Sequence, residues 1–453
     1  AAQDMATSNA RPSRSSDVIV IGAGLSGLNA SLLLEEMGYK VTVLEGRNRI
    51  GGRLYTMDDV PGAPEAGGSG IGSSYGRLLN AIERYEIPTR SERERTEANA
   101  AHTMLNIRGD HIPFDQWANH SRNPFPDEHK SKLPWQVQFG MYGQDNPLAD
   151  MADFVEPQFA EYDISVYDFL KSKGFSHRAI ELGAGTNMSY GGKGGPHGLS
   201  TMMMYNLMTF IMNDNSIRRE GSPFAGLGGN QRIPEAMAKN LKTDIQFNAK
   251  VVGIRHEESH AEVHLENGEI LKAPQVIITI PFSALRLIDL DAPITAKQSQ
   301  AINTLQYTNV THLHFVPKRK FWEEDGMMPS MWTDGPPARF MSLRNNPNNP
   351  DEITSFIAFA NDRVANHLDR IGSEASAKYI LDYLAKIRPS TKGALEFVKF
   401  WSWQHDPFAG GAYASWGPGQ STTFGKGMAE AAGRIHFAGE HTSVVTRGME
   451  AAM

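Results

Sequence analysis

The chain has 453 residues, which exceeds the usual size of a domain with a single hydrophobic core, and this length predicts two or three domains. Apolar residues make up 40% of it and charged residues 21%, as in globular proteins, and the net charge of −7 argues against nucleic acid or an anionic membrane as partner. No apolar stretch approaches the ~18–20 residues that span a bilayer. Cysteine is absent, which excludes disulfides, thiolate metal sites and a cysteinyl bond to a cofactor. The sequence therefore predicts a soluble protein, cytoplasmic or periplasmic.

The first 16 residues are small, polar and without pattern, which predicts a disordered tail. They also fit what is left after removal of a signal peptide. Neither interpretation gives them a part in the folded domains.

Two short apolar runs with a helical pattern between them follow directly. Val18 to Ile21 and Val41 to Leu44 are predicted strands, and the leucine spacing between them predicts a helix. The first strand ends in glycines at G-x-G-x-x-G spacing, and Glu45 ends the second strand. This β-α-β pattern predicts a dinucleotide-binding turn, with a glycine-rich structural crossover as the alternative. The predicted ligand-binding residues of the turn are Gly22, Gly24, Leu25, Ser26 and Gly27.

Each residue type has a physical task in such a turn. Gly22 permits the tight bend, Gly24 lets the backbone approach a pyrophosphate, and Gly27 lets the helix pack against the strand. The first N–H groups of the helix, at the positive end of its dipole, then face the phosphates. The carboxylate of Glu45 is placed to accept hydrogen bonds from ribose hydroxyls.

The next residues form the pattern R-x-x-x-G-G-R, in which two guanidinium groups beside a second glycine turn suit a pyrophosphate held from both sides. Together with the preceding glycine, the residues concerned are Gly46, Arg47, Gly51, Gly52 and Arg53. This continuation resembles the flavin-containing amine oxidases, the superfamily of monoamine oxidases, polyamine oxidases and L-amino-acid oxidases. The resemblance implies an α/β fold with a Rossmann-type, glutathione-reductase-like FAD-binding domain and an α+β substrate-binding domain, with the flavin lying across the two.

The cofactor domain is expected to be discontinuous, because its signals come in separate blocks. We expect residues 17–90, 220–290 and 395–453 to form the FAD-binding domain, and residues 91–219 and 291–394 to form the substrate-binding domain.

Within the first two blocks, several segments have clear local signals. Asn267-Gly268 predicts a hairpin turn and residues 275–281 predict a buried strand. By the resemblance, Val251 contacts the adenine through its backbone. A glycine turn before a predicted helix adds three further cofactor-binding candidates, Gly67, Gly68 and Ser69.

The substrate domain has weaker signals. Residues 310–316 predict a strand, 345–352 an exposed turn and 377–387 an amphipathic helix. The glycine-rich segment 185–205, which contains Met202 to Met204, fits either the lining of a substrate cavity or a loop entering a packed helix, and we favour the loop.

The last block has the residues expected nearest the chemistry. Gly439 and Glu440 follow a short strand and match the family motif whose glycine approaches the flavin and whose acid binds ribityl or pyrophosphate hydroxyls. Residues 401–419, which include Trp403, resemble the segment that lines the substrate side of the flavin.

The string G-G-A-Y in this segment bears on how the flavin is held. In monoamine oxidases the G-G-C-Y version contains the cysteine that bonds to FAD, and Ala412 cannot form that bond, so FAD is expected to be held non-covalently. Tyr413 is expected to be the first wall of an aromatic cage that steers a substrate amine towards the flavin. The alternative for Tyr413 is a core aromatic.

Two positions depart from the family pattern. At the second cage wall the family has an aromatic, whereas Met449 follows Gly448 here, which makes the cage half aromatic and more open. The chain stops at Met453, within the expected closing helix, so we expect the natural protein to continue.

The other departure concerns His312, which takes the place of a lysine that the family sets before a Phe-Trp pair to hold a water near flavin N5. Histidine could hold the same water and would titrate near neutral pH. His314 shares its face of the strand, so a metal site is an alternative, although no third ligand is near in sequence. The remaining alternative is a core histidine.

The resemblance implies oxidation of an amine. A hydride passes from the α-carbon to flavin N5, water hydrolyses the imine, and oxygen reoxidises the flavin to give hydrogen peroxide. One alternative is a flavin amine dehydrogenase of the nicotine-oxidoreductase type, which acts on cyclic or secondary amines and passes electrons to a carrier protein. Desaturase or porphyrinogen-oxidase chemistry on the same fold is a second alternative, against which the G-G-A-Y motif argues. A flavoprotein that only binds a partner is a third.

The substrate is left open. An L-amino-acid oxidase needs an arginine that clamps a carboxylate, and Arg255, Arg339 and Arg344 are candidates. Met449 favours a roomier site and a monoamine or secondary amine. The expected partners are a small-molecule amine and oxygen or an electron-carrier protein, with a homodimer as one option for assembly.

Overall fold

The computed structural model describes residues 16–92, 101–144, 146–186 and 193–453. Apart from Ser16, the predicted tail lies outside the described residues, and so do residues 187–192 of segment 185–205.

The strands come partly in βα units and partly in runs without a helix between them, such as the run over residues 245–278. In chain order they are β1 Val18–Ile21, β2 Val41–Leu44, β3 Thr89–Ser91, β4 Thr103–Ile107, β5 Asp110–Ile112, β6 Phe224–Gly226, β7 Ile245–Gln246, β8 Val251–His256, β9 Ala261–Leu265, β10 Ile270–Ala273, β11 Gln275–Ile278, β12 Asp289–Asp291, β13 Gln306–Tyr307, β14 Val310–Pro317, β15 Ser330–Thr333, β16 Arg339–Leu343, β17 Ser355–Asn361, β18 Leu395–Ser402, β19 Ala414–Ser415 and β20 Ile435–Phe437.

The α-helices range from a single turn to four turns. They are α1 Leu25–Glu36, α2 Gly76–Arg84, α3 Phe114–Trp117, α4 Pro134–Gln144, α5 Val166–Ser172, α6 His177–Ile180, α7 Thr201–Ser216, α8 Arg232–Lys239, α9 Phe282–Leu285, α10 Ala296–Thr304, α11 Phe321–Glu324, α12 Asp362–Ile371, α13 Ser373–Ile387, α14 Gln420–Phe424 and α15 Gly448–Ala451.

A five-stranded parallel sheet in the order β20-β11-β1-β2-β7 contains the predicted β-α-β unit. Its central strand is covered on both faces. Val18 and Val20 pack in one apolar cluster with Leu28 of α1, and Ile19 and Ile21 pack in another. A strand buried on both faces needs apolar residues at every position, which is why its sequence is a continuous apolar run. The predicted strands and the helix between them are confirmed.

A seven-stranded sheet in the order β18-β14-β17-β16-β15-β4-β5 forms the second layer. Its strands are antiparallel except for the parallel pair β15 and β4. Helices α12 and α13 supply Leu368, Ile380 and Leu384 to the apolar cluster that also holds Leu313 and Phe315 of β14. The predicted strand 310–316 and helix 377–387 are confirmed as parts of β14 and α13.

A smaller four-stranded sheet, β10-β9-β8-β12, follows β7 in the chain. Asn267 and Gly268 form the predicted turn between β9 and β10, with Gly268 at a φ of +87°. The chain then enters β11 and returns to the parallel sheet.

The strand pairing favours a later start of the third cofactor block than the sequence predicted. The predicted third cofactor block begins at residue 395, but β18 pairs with β14 in the seven-stranded sheet. We therefore propose that the third block begins after Ser402. Within the described parts of the chain, no helix is long and apolar enough to cross a membrane.

Candidate active site

A cavity of about 970 Å³ opens at the carboxyl edge of the parallel sheet and extends to the seven-stranded sheet. Its lining comes from loops that follow β1, β2 and β20, and from His312 of β14 and Phe359 of β17. Every residue predicted to bind the cofactor or to lie at the reaction centre lines this cavity, with the exception of Gly27. Their individual roles stay predictions.

Gly27 is explained by packing. A Cβ atom at this position would lie 1.8 Å from the carbonyl oxygen of Gly22 and 2.9 Å from Oγ1 of Thr279. The absence of a side chain therefore lets α1 lie close against the end of β1. Gly24 has the opposite surroundings, since a Cβ there would meet no atom closer than the Cα of Gly52 at 3.9 Å.

The first turn of α1 is free to bind an anion. Gly24 is the N-cap and offers no side-chain acceptor to the N–H groups of the first turn. Backbone N–H groups without an intrahelical acceptor are electrostatically favourable partners for a phosphate. Gly24, Leu25 and Ser26 all line the cavity.

Glu45 fixes the loop after β2 to the glycine turn. Its Oε2 accepts a hydrogen bond from the backbone N–H of Ala23 at 2.9 Å, and its Oε1 accepts one from the N–H of Arg47 at 2.9 Å. Each carboxylate oxygen has a second lone pair, so the buried acid can still accept from a hydroxyl in the cavity.

The two predicted guanidinium groups are each held by a carboxylate. Nη2 of Arg47 lies 2.6 Å from Oδ1 of Asp406, and Nη1 of Arg53 lies 2.6 Å from Oε1 of Glu440. Arg53 also donates to the carbonyl oxygen of Ala412 at 3.1 Å. These pairs keep both cations at the cavity wall in fixed orientations. Asp406 was missed in the sequence because it lies 359 positions from its partner.

Glu440 has one oxygen in use and one without a partner. Oε1 accepts from Arg53 and, at 2.9 Å, from the backbone N–H of Ala414. Oε2 is buried and has no hydrogen-bond partner among the residues that the structure describes. A buried carboxylate oxygen without a donor is unfavourable, so this atom calls for a donor from a bound molecule.

The G-G-A-Y segment forms a tight turn at the cavity. Gly411 has a φ of +148°, and a Cβ there would lie 2.3 Å from Cβ of Tyr307. The turn places Tyr413 in the wall of the cavity, partly buried, with its carbonyl oxygen accepting from the N–H of Thr308 at 2.9 Å. Trp403 follows β18 directly and ties the end of this strand to the loop at Ala66, because its Nε1 donates to the carbonyl oxygen of Ala66 at 2.6 Å.

His312 lines the cavity as a neutral group. Its ring centroid lies 4.3 Å from that of Phe359, and neither ring nitrogen has a hydrogen-bond partner in the described part of the chain. Burial holds the pKa of His312 well below its usual value, with His314 and Arg339 adding to the effect. The expectation that His312 titrates near neutral pH is therefore wrong, because a buried imidazole without an acid nearby resists protonation.

His314 shares the same strand face but does not line the cavity. Burial lowers the pKa of His314 to about 3. In the ranges that the structure covers, no group of three or more histidine, aspartate or glutamate side chains could hold a metal ion. The metal interpretation of the histidine pair therefore has no third ligand to rest on.

Met449 lines the cavity, but its sulfur lies over Gly68, where an added Cβ would be 2.8 Å away. Its side chain packs in the apolar cluster that also contains Leu54, Ile71 and Leu78. Gly68 is one of the residues predicted to bind the cofactor. The role of Met449 as a second cage wall stays a prediction.

The structure also brings residues to the cavity that the sequence did not single out. They include Asn206, Leu207 and Phe210 of α7 together with Arg447. All three consecutive methionines, Met202 to Met204, pack in the core as the favoured interpretation expected, and Met203 also lines the cavity.

The three arginines proposed for a carboxylate clamp do not line the cavity. Arg255 pairs with Asp289 at the surface, and Arg344 donates to Oγ of Ser342. The only local signal for Arg447 in the sequence is its place directly before Gly448, which does not by itself indicate a role for the side chain.

A glycine turn on a parallel sheet, a helix N-terminus and two arginine–acid pairs around one large cavity define a dinucleotide-binding protein. The model of the flavin containing amine oxidoreductase family matches residues 25–453, so the chain belongs to this family. It is an oxidoreductase that acts on amines, and FAD is its cofactor.

Two curated relatives are similar over almost the whole chain. A putative L-amino-acid oxidase of Bacillus subtilis (strain 168) is 26% identical, with 96% of this chain and 92% of the relative covered. A flavin-containing amine oxidase of Danio rerio is 27% identical, with 96% of this chain and 83% of the relative covered.

Solved structures show the same fold. A putrescine oxidase variant, A394C, from a redesign of cofactor binding has a TM-score of 0.74 at 21% identity, and covers 97% of both chains. The cyclohexylamine oxidase from Brevibacterium oxydans IH-35A has a TM-score of 0.72 at 20% identity, with 97% of this chain and 96% of the other covered.

The residues of the cavity fit FAD. The partnerless Oε2 of Glu440 would accept from a hydroxyl, and the open space at Gly24 admits a phosphate close to the backbone. Arg47 and Arg53 supply the positive charge that a pyrophosphate needs. Because the sequence contains no cysteine, a cysteinyl bond to the flavin is excluded.

Proposed function

We propose that this chain is an FAD-dependent oxidase of small amines that converts a CH–NH group to an imine, with oxygen as the electron acceptor. When bound, FAD supplies the acceptor for the hydride of the α-carbon and passes both electrons to oxygen, which yields hydrogen peroxide. Water then hydrolyses the released imine to a carbonyl compound and ammonia or a smaller amine.

The protein's part in this reaction is to bind and to orient. The glycine turn, the first turn of α1 and the two arginines bind the pyrophosphate, while Glu45 and Glu440 accept from hydroxyls. The backbone at Val251 contacts the adenine. Gly439 allows close approach of the backbone to the cofactor, as it has no side chain.

At the other end of the cavity, the aromatic face of Tyr413 positions the amine. His312 is neutral, so it does not repel a cation and can hold a water through a ring nitrogen. The apolar lining from Phe359, Phe210 and Met203 keeps the reacting carbon dry. No strong base is required, because the amine reacts in its neutral form.

A single observation supports this proposal most directly: one cavity joins the phosphate-binding end of the molecule to a wall with Tyr413 and His312. A cofactor that spans this distance would present its reactive ring to the second end. The arrangement is that of an enzyme in which the cofactor reacts with a small molecule between two layers of the fold.

The experiment is an anaerobic screen of amines and amino acids against the purified, FAD-loaded protein, in which the visible absorbance of the flavin is followed. We expect at least one amine to bleach the flavin, and admission of oxygen to restore the colour with an equal amount of hydrogen peroxide. Acid precipitation should release all FAD into the supernatant. A loaded protein that no amine bleaches would contradict the proposal. Slow reoxidation by oxygen would point to a carrier protein as acceptor instead.

A further inference from the structure

Arg447 is held in the cavity wall by contacts with two aromatic rings and by one hydrogen bond. Its Cζ atom lies 4.7 Å from the ring centroid of Phe154 and 4.6 Å from that of Trp416. Nη1 donates to Oδ1 of Asn206 at 2.8 Å. The amide of Asn206 is itself oriented, because its Nδ2 donates to the carbonyl oxygens of Met151 and Val445. The guanidinium plane is therefore fixed before any ligand binds.

Two nitrogen atoms of this guanidinium have no hydrogen-bond acceptor among the described residues. These are Nε and Nη2 of Arg447, and both are buried. No carboxylate of the described chain lies within ion-pair distance of Arg447, and Glu440, the acid that raises its pKa, is paired with Arg53. Burial lowers the pKa of Arg447 only to about 10, so the group is a cation at neutral pH. A buried cation without a counter-ion is costly and needs an anion from elsewhere.

The positions of Nε and Nη2 on Arg447 indicate which kind of anion fits. Nε and Nη2 form the side edge of the guanidinium, whose two parallel N–H bonds match the two oxygens of a carboxylate. Arg447 and Asn206 line the cavity beside Met203, Leu207 and Phe210 of α7, so the surroundings of this edge are mostly apolar. The helix belongs to the predicted substrate domain, and the glycine-rich phosphate-binding turn is contributed by other elements.

We propose that Arg447 binds the carboxylate of the substrate through its Nε and Nη2 edge, and that the substrates are α-amino acids with apolar side chains. The inference rests on the proposed amine oxidation and specifies its substrate class. The carboxylate is held at this edge beside the rings of Phe154 and Trp416, while the apolar residues of α7 receive the side chain. The α-amino group is then directed towards Tyr413.

The test compares each amino acid with the amine that lacks only its carboxylate, as in phenylalanine with phenethylamine and leucine with isopentylamine. Anaerobic flavin reduction is measured for the FAD-loaded wild type, Arg447→Met, Arg447→Lys and the surface control Arg255→Met. We expect the wild type to be reduced at lower concentrations of the amino acid than of its amine. Arg447→Met should raise the amino-acid concentration for half-maximal reduction by about 10- to 100-fold, and leave that of the amine within about threefold. Arg447→Lys should restore part of the loss, and Arg255→Met should behave as the wild type does.

A binding measurement keeps the clamp testable without turnover. Calorimetric titration of the loaded enzyme with benzoate should show binding in the wild type and none in Arg447→Met, and neutral benzamide should bind neither. If no amine or amino acid bleaches the flavin but benzoate binding depends on Arg447, the proposed function fails and the anion site stands. If amines reduce the flavin and amino acids do not, or benzoate fails to bind the wild type, the carboxylate clamp is overturned. An equal loss for amino acid and amine in Arg447→Met, or loss of FAD itself, would also overturn it, because the guanidinium would then serve the cofactor.

Discussion

Substitution of Gly27 by alanine tests how closely α1 must approach β1. The added Cβ would lie 1.8 Å from the carbonyl oxygen of Gly22, and real Cβ contacts are not shorter than 3.0 Å. The helix must therefore retreat by roughly 1 Å or more, since the obstacle is backbone. Overpacking in a core commonly destabilises by about 1–3 kcal/mol, and we expect a value at or above the upper end. The displaced helix N-terminus also loses its position against a phosphate, so FAD affinity should fall at least tenfold.

Gly76 offers a matched control, because it also lies in a helix and a Cβ there would meet nothing within 4 Å. Gly76→Ala should stabilise the fold slightly, by up to about 1 kcal/mol, because alanine has less backbone freedom to lose. Thermal unfolding of both variants, with and without FAD, and FAD titration of the apoproteins give the comparison. Equal stability and FAD affinity for Gly27→Ala and wild type would refute the packing role of Gly27.

Three further expectations follow from single side chains. Glu440→Leu removes the acceptor of Arg53 and the partnerless Oε2, so the dissociation constant of FAD should rise about 10- to 100-fold in a fluorescence titration; an unchanged constant would exclude the acid as a cofactor contact. The pKa of His314 is lowered by burial to about 3, so below ~pH 6.5 the unfolded chain takes up a proton that the folded chain does not, and stability falls as the pH drops towards 3. In urea unfolding, His314→Asn should make this fall shallower by up to about 1.4 kcal/mol per pH unit, and an identical slope in both proteins would show that another group is responsible. Tyr413→Phe should leave the KM of the best amine within about twofold while Tyr413→Ala raises it about tenfold, because only the aromatic face is used; equal effects of both changes would assign Tyr413 to the core instead.

The arginines show how far sequence patterns reach. Arg47 and Arg53 stand out because they flank a glycine turn within one short segment, and both line the cavity. Arg447 has no such local signal. Its meaning depends on Asn206, which lies 241 positions away, and on the two aromatic rings that hold its guanidinium.

His312 shows that a sequence pattern also fails to predict the charge state of a side chain. The sequence indicated the strand and the shared face of His312 and His314 correctly. The protonation state was predicted wrongly, since an imidazole takes its pKa from the dielectric and the charges around it. Those surroundings include Phe359 of β17, which lies against the imidazole, and the charge of Arg339 of β16, both outside the strand of His312.

The sequence by itself determined the β-α-β unit, the glycine turn with its acid, the buried strands and the family resemblance. Each of these depends on residues within a few turns or strands of one another, where steric demands and side-chain periodicity act locally. The tertiary structure alone decided which strand joins which sheet, which carboxylate holds each arginine, and which cation is left without a partner in the cavity. These follow from contacts between segments hundreds of residues apart, because burial and pairing are properties of the packed chain.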